Sequence, residues 1–572
     1  MIYLVSNQTN AFNNVFEQIS LDQSIDMLFK LPVLGNDTET SGLSCHSKKL
    51  LTIQLGNADF QVVFDIESFG YQVPKKLVEA MKRYSGVYIL QNAKFDLQFY
   101  YKQGIILKNV YDTMLAETIL TLGLQTGGRD LKTITKKYCD VDLDKSVRGE
   151  IITKGLSERV IKYAAYDVVY LPEIMEKQMK LIERMQLKTA LDLDNHFVKV
   201  LAYIEYCGIK LDWEKWKTKA LKDLDDVQEK KRLLNNWLWE NNYKEYFSYY
   251  DLFTNEPQCT INWSSSKQVI PLFEKLGVNC TVKVNGETKK TVEEKVLKTQ
   301  IKDFPILKLY YDYTGSRKLA STYGLSWEKA INSDTGRIHT TFKQIMNTGR
   351  LSCGDSKGNY PNLQNLPNDA YTRSCFIAEK GNKISAIDYS AQESIVLANF
   401  AKDNALINFY KKGLTDMHSY VAYLLFPELQ IKPREELVNE DLKQIKKEHH
   451  DLRQIAKTAE FAIGYGGNGS TIAKNTGCSK EQGNKVYDSY FEAFSGLKNY
   501  FTLVLNKTKE RGFIEYNPVT KRKFFISPND PFLKYKDWVN LPRELEREYN
   551  MKEAEYQRLS QNYPIQGELL PC

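Results

Sequence analysis

No stretch of this chain approaches the ~18 consecutive apolar residues that a membrane-spanning helix needs. The opening, MIYLVSNQTNAFNNVF, has neither the basic region nor the long apolar core of a secretory signal. Both absences set a cytoplasmic location as the expectation. Cysteine is sparse and unpatterned: the nine residues, an odd number, run from Cys45 to Cys572 without a CxxC pair, so neither a disulfide framework nor a zinc site is indicated. There is no internal repeat and no extended low-complexity tract. An excess of charge of one sign is also nearly lacking, with 78 Lys plus Arg against 71 Asp plus Glu, a net +7. That mild excess permits a nucleic-acid partner without requiring one. What the chain does have is length and core material. Its 572 residues are 42 % hydrophobic and 26 % charged, enough for roughly three or four domains at about 150 residues each.

The first stretch alternates β-rich runs (LPVLGND at 31–37, LTIQLGN at 51–57, QVVFDI at 61–66, GVYIL at 86–90) with helical patterns, which predicts an α/β domain. From Ser157 an N-capped helix is expected, broken or kinked at Pro172. Residues 190–335 are rich in Lys, Leu and Glu with helical periodicity and read as a helical arm, interrupted around TVKVNGETKK. Turn-rich loops follow Gly336, then a strand ending at Asp388, a long helical region to about 510, and the basic stretch NPVTKRKFF, read as a nucleic-acid patch or a solvated hairpin.

Asp37 and Glu39 flank Thr38 just after an apolar run, so on a continuing strand both carboxylates share one face. Asp96, in QNAKFDLQFY, follows the strand GVYIL, where a strand-to-helix transition brings it to the same sheet edge. In YAAYD, Tyr163 and Asp167 lie four apart on a helix, one above the other. Four acids and a phenol suit phosphodiester hydrolysis, in which two cations ~3.5–4 Å apart activate water and stabilise the leaving oxygen.

A second constellation, Arg453, Lys457, Phe461 and Tyr465 in LRQIAKTAEFAIGYGG, forms a stripe about 18 Å long on a helix rising ~1.5 Å per residue. The cations lead, toward the positive end of the helix dipole, and the aromatics follow, so one helix can hold a triphosphate and stack its base. GYGGNGS lacks the Lys-Ser/Thr of a Walker A loop and reads as the turn after this helix.

DTE, NAKFD and YAAYD, in that order over residues 30–180, resemble the tyrosine variant of the DEDD proofreading exonucleases, which have an RNase H-like fold. The resemblance implies that Asp37, Glu39, Asp96 and Asp167 bind two metals, that Tyr163 orients the attacking water, and that Asn92 and Phe95 position the 3′ end. Downstream, TGRIHTTFKQIMNTGRLS (335–352), PNLQNLP (361–367), IDYSAQESIVLANFA (387–401), TDMHSYVA (415–422), the helix above and QRLSQNYPIQG (557–567) resemble, in order, the motifs of family A DNA polymerases. By that resemblance Asp388 binds both palm metals and Glu393 excludes ribonucleotides. Arg453, Lys457 and His418 hold the triphosphate, with Lys457 also able to protonate the leaving pyrophosphate. Phe461 stacks on the incoming base and Tyr465 sits beside the templating position, while Arg350, Arg558, Asn562 and Gln566 contact primer-template DNA.

The implied fold class is α/β multidomain, an RNase H-like exonuclease followed by a right-hand polymerase. Its expected domains are 1–185 exonuclease, 186–335 connector and thumb, 336–400 palm, 401–512 fingers and 513–572 the second, truncated part of the palm. The implied function is DNA replication with proofreading, using Mg2+, two per site, or Mn2+. The implied partners are primer-template DNA, a single-stranded 3′ end and dNTPs. With no 5′-nuclease ahead of the exonuclease, the architecture resembles a phage polymerase.

The chain departs from the family pattern at Ile395, where arginine is usual, and at Glu460, where asparagine is common. After PIQG it reads ELLPC, where the family continues to a His-Asp-Glu turn bearing the second palm ligand. HHD at 449–451 lies on the wrong element to replace it. The expectation is therefore weak or absent polymerisation by this polypeptide alone, with the segment supplied by a separately encoded chain, joined by splicing, or lost in gene calling. Two rival readings stand beside this one: an exonuclease whose polymerase part only grips DNA, and a non-catalytic primer-template binding protein.

Overall fold

The structure, a computed structural model, describes residues 1–125, 127–144, 146–147, 150, 155–251, 256–284, 287–355, 360–389, 391–464, 466–539 and 541–567. The chain sorts into two compact units, one of Met1–Cys207, Thr341–Cys353 and Ala386–Cys572, the other of Gly208–Thr340 and Gly354–Ser385.

The first unit is organised around a seven-stranded sheet of β1 (Ile2–Val5), β2 (Glu17–Gln18), β3 (Val33–Thr40), β4 (Leu50–Gly56), β5 (Gln61–Asp65), β6 (Val87–Leu90) and β7 (Val110–Asp112), in the order β2-β1-β5-β4-β3-β6-β7. β3, β4 and β5 form an antiparallel meander, while β6 pairs with β3, and β7 with β6, in parallel. All four runs expected from the sequence are strands. Every residue of β4 and β5 is buried, as a sheet covered on both faces requires. Ser157 caps the helix Glu158–Val169 by accepting the Val160 N–H, and Pro172 opens the next helix, Leu171–Arg184, where its missing N–H costs nothing.

The same unit contains the helices Gln392–Ala401, Met417–Leu425, His450–Gly464, Lys480–Ala493 and Ser495–Arg511, packed on a core that includes Phe409, Tyr420, Ala459 and Phe494. NPVTKRKFF lies in a hairpin of Phe513–Glu515 against Lys523–Phe525, ahead of the helix Arg543–Gly567. Two buried ion pairs anchor the helix Lys188–Cys207: Asp194 accepts from Arg522 of the hairpin at 2.8 Å, and Glu205 from Lys94 at 2.6 Å.

One expectation is corrected. The strand ending at Asp388 is not formed: residues 382–389 carry no regular secondary structure. Ile384, Ile387 and Tyr389 are 55 %, 88 % and 64 % exposed. β-branched residues favour a strand only when a neighbour supplies the ladder, and none of the described residues does so here.

In the second unit the long helix Trp213–Glu240 packs against Pro305–Thr322 over a core that includes Leu234, Trp263, Phe273 and Ile306. The interruption at TVKVNGETKK is a hairpin, Thr281–Val284 against Glu287–Lys290. Among the described residues no helix is long and apolar enough to cross a membrane.

Candidate active sites

Alternation along β3 places Gly35, Asp37 and Glu39 on one face. The helix Glu158–Val169 packs on that strand, and its approach depends on Gly35, where a Cβ would stand 2.5 Å from the Val168 carbonyl oxygen. Asp167, the preceding residue, thereby meets the strand's acids. Asp37, Glu39 and Asp167 each offer a carboxylate oxygen, all within 4.8 Å of one another. That spacing fits oxygen ligands around a hard divalent cation, with metal–oxygen distances of about 2.0–2.6 Å. Tyr163, one turn earlier, hydrogen-bonds to Asp167. Burial, then the charges of Asp167 and Glu39, raises its pKa and keeps the phenol protonated.

Thr38 lies between the two acids and faces the other way, where its hydroxyl donates to Asp96 Oδ1 at 2.5 Å. Asp96 is buried and is not one of the three clustered acids. It stands in the first turn of the helix Ala93–Lys102, whose start is secured by a residue that the sequence reading missed. Asp112 accepts the N–H groups of Asn92 and Ala93 at 3.1 and 2.8 Å, and also those of Met114 and Leu115 at the next helix. One carboxylate thus caps two helices. Its signal was present in VYDTM, an acid directly before an apolar helical run. Asn92, at φ 60, and Phe95 are half-buried at this helix start.

Burial pushes Asp96 up from 3.8 to about 7, the Thr38 bond opposing and the Asp112 charge adding. Burial likewise pushes Asp112 up to about 6 against four backbone hydrogen bonds. The fold therefore favours the neutral acids where the unfolded chain is already ionised. The stability this adds is complete below the ordinary value and is lost as pH rises through about 6 and about 7. In chelator, the melting temperature is expected to fall from roughly pH 5 to pH 7.5 more steeply for the native chain than for Asp112→Asn, which stays neutral. Equal slopes would remove Asp112 as a cause.

The helix His450–Gly464 carries Arg453, Lys457 and Phe461 at the expected spacing. Arg453 Nη2 donates to Asp416 Oδ1 at 2.9 Å, and its Nε to Asp416 Oδ2 and Ser419 Oγ. His418 Nδ1 lies 2.6 Å from Glu460 Oε2. Phe461 is 48 % exposed. Arg350, expected at DNA, is paired with Glu393. Glu393, Glu460, Phe461 and Asn562 line one cleft with Tyr490. Arg558 is exposed on the helix Arg543–Gly567, and Gly466 packs against it, since a Cβ there would stand 2.9 Å from the Arg558 Cα. Asp388 is exposed in the coil described above. Tyr465 and the side chain of Gln566 lie outside the described residues.

The family described as DNA polymerase family A matches residues 248–568, more than half of the chain, and a 3′-5′ exonuclease family matches residues 12–183. The DNA polymerase I of Aquifex aeolicus is 27 % identical over 561 residues, 93 % of this chain and 85 % of that protein. The DNA polymerases I of Streptococcus pneumoniae and Pseudomonas aeruginosa are each 27 % identical over 88 % of the chain, which spans only 53 % and 54 % of their lengths. These relatives are bacterial and lend no support to the phage-type expectation. The polymerase domain of Pol1 from M. smegmatis, solved with DNA primer-template and dNTP, shares the fold at a TM-score of 0.73 and 20 % identity, over 99 % of this chain and 86 % of that one. The chain belongs to DNA polymerase family A and carries a 3′-5′ exonuclease domain on the N-terminal side of the polymerase part.

Proposed function

We propose that the chain extends primer-template DNA with dNTPs and removes nucleotides from a 3′ end that has frayed into single strand. The observation that carries this reading is the clustering of Asp37, Glu39 and Asp167 beside a protonated Tyr163. We assign 1–185 to the exonuclease, 186–335 to connector and thumb, 336–400 and 513–572 to the palm, and 401–512 to the fingers. Mg2+ suits the all-carboxylate donor set.

In the exonuclease site Asp37, Glu39 and Asp167 would hold the cations, with Asp96 as the fourth acid of the set. When bound, the cations lower the pKa of water and stabilise the departing 3′ oxygen. The Tyr163 hydroxyl, donating to Asp167, orients the attacking water, and Asn92 and Phe95 seat the terminal nucleotide. In the polymerase site Asp388 is the palm's acid, Lys457 meets the triphosphate and supplies a proton to pyrophosphate, and Phe461 stacks on the base. Glu393, held by Arg350, crowds the sugar 2′ position. Arg558, Asn562 and Gln566 contact the duplex near the growing end.

A second reading, an exonuclease whose polymerase part only grips DNA, is favoured by the unpaired coil around Asp388. Incubation of the chain with a labelled primer-template and Mg2+, with and without dNTPs, separates the two. Shortening without dNTPs and extension with them is the expected result. Shortening in both conditions selects the second reading, and an unchanged primer overturns both.

A further inference from the structure

Glu460 is out of character for a nucleotide site. It is a carboxylate one residue before the base-stacking Phe461, on the helix assigned to the triphosphate, where asparagine was expected from the family resemblance. Left unpaired, a negative charge there repels the phosphates and costs desolvation, since the side chain is only 17 % exposed. Among the described residues its ion pair is with His418, at 2.6 Å. The other groups facing it are the hydroxyls of Tyr410 and Tyr490, whose ionisation its charge opposes.

We propose that Glu460 is a positioning residue for His418. By accepting the Nδ1–H of His418, it holds the ring with Nε2 turned toward the incoming triphosphate. A carboxylate on one imidazole nitrogen fixes which nitrogen faces outward and restrains the ring, and that outward nitrogen donates to a phosphate oxygen in the doubly protonated ring. The arrangement repeats that of its neighbour: Asp416, directly before the helix Met417–Leu425, grips Arg453 through both carboxylate oxygens. Two of the three side chains assigned to the triphosphate are thus braced by acids, and packing against Phe461, with ring centroids 5.7 Å apart, leaves the His418 ring little freedom to turn away.

This inference rests on the nucleotide reading of the helix, and the test separates the two. Binding of a labelled dNTP with Mg2+ to the full chain on primer-template DNA is measured by equilibrium dialysis for the native chain, H418A, E460L, E460Q and H418A/E460L. E460L is expected to weaken binding about 5–10-fold, as much as H418A, and the double variant no further, the signature of a coupled pair. E460Q, which keeps an oxygen acceptor, is expected to recover most of the loss, and binding of the corresponding monophosphate should be unchanged throughout. Losses that add in the double variant, or an unaffected E460L beside a weakened H418A, overturn the positioning role. A native chain that binds no dNTP overturns the nucleotide site itself, and the inference with it. Thermal melting of each variant excludes loss of fold, and if E460L does not fold, E460A and H418A/E460A complete the same cycle.

Discussion

Asp37→Ala is expected to slow the release of 3′ nucleotides from a labelled single strand by at least about a thousand-fold, roughly 4 kcal/mol of transition-state stabilisation. Asp37, Glu39 and Asp167 hold three oxygens within 4.8 Å of one another. At such separations like charges repel by on the order of a few kcal/mol even in a partly solvated site. The cluster is therefore a liability to the metal-free fold and an asset only around cations. Activity and stability should move in opposite directions: in chelator the melting temperature of Asp37→Ala is expected to equal or exceed that of the native chain. The rise in melting temperature that Mg2+ gives the native chain is expected to shrink in the variant. Loss of trimming accompanied by a lower melting temperature in chelator would reassign Asp37 to the fold.

Gly35→Ala is expected to disable trimming through a single added methyl. The added carbon would stand 2.5 Å from the Val168 carbonyl oxygen, 3.1 Å from the Gly56 carbonyl oxygen and 3.1 Å from the Val168 Cβ. Two of these are backbone atoms of packed elements and cannot turn aside, so the helix carrying Asp167 must move off β3. Overpacking of this kind costs about 1–3 kcal/mol. A carboxylate displaced by up to ~1 Å costs roughly a hundred-fold in rate. Gly315→Ala is the control, because a Cβ there meets nothing within 4 Å and it lies inside the helix Pro305–Thr322. It should leave trimming unchanged and add up to about 1 kcal/mol of stability. Native-like trimming by Gly35→Ala would show that the helix and strand tolerate separation.

The strands around the exonuclease site were legible because their signals are local. β-rich runs bounded by turn residues gave β3 to β6, the alternation in DTE put two acids on one face, and a four-residue step joined Tyr163 to Asp167. The spacing of Arg453, Lys457 and Phe461 on one helix was legible for the same reason. The strand expected up to Asp388 was not, because ISAIDYS carries strand propensity but a strand exists only where a second chain segment pairs with it. Asp112 was overlooked although an acid before an apolar helical run was in view, since its hold on the earlier helix runs to the Asn92 and Ala93 N–H groups, 20 and 19 residues away.

Residue type and spacing, through the two-residue period of a strand and the 3.6-residue turn of a helix, decide which side chains share a face. They therefore identified the acids, the cations and the aromatic stripe. Which face meets which depends on contacts between segments far apart in the chain. The Thr38–Asp96 bond joins residues 58 apart, the Arg453–Asp416 pair 37 and the His418–Glu460 pair 42. None of these follows from local geometry. Close packing selects them, because a buried polar or charged group left without a partner is costly, and a glycine at position 35 lets the Asp167 helix close on the strand.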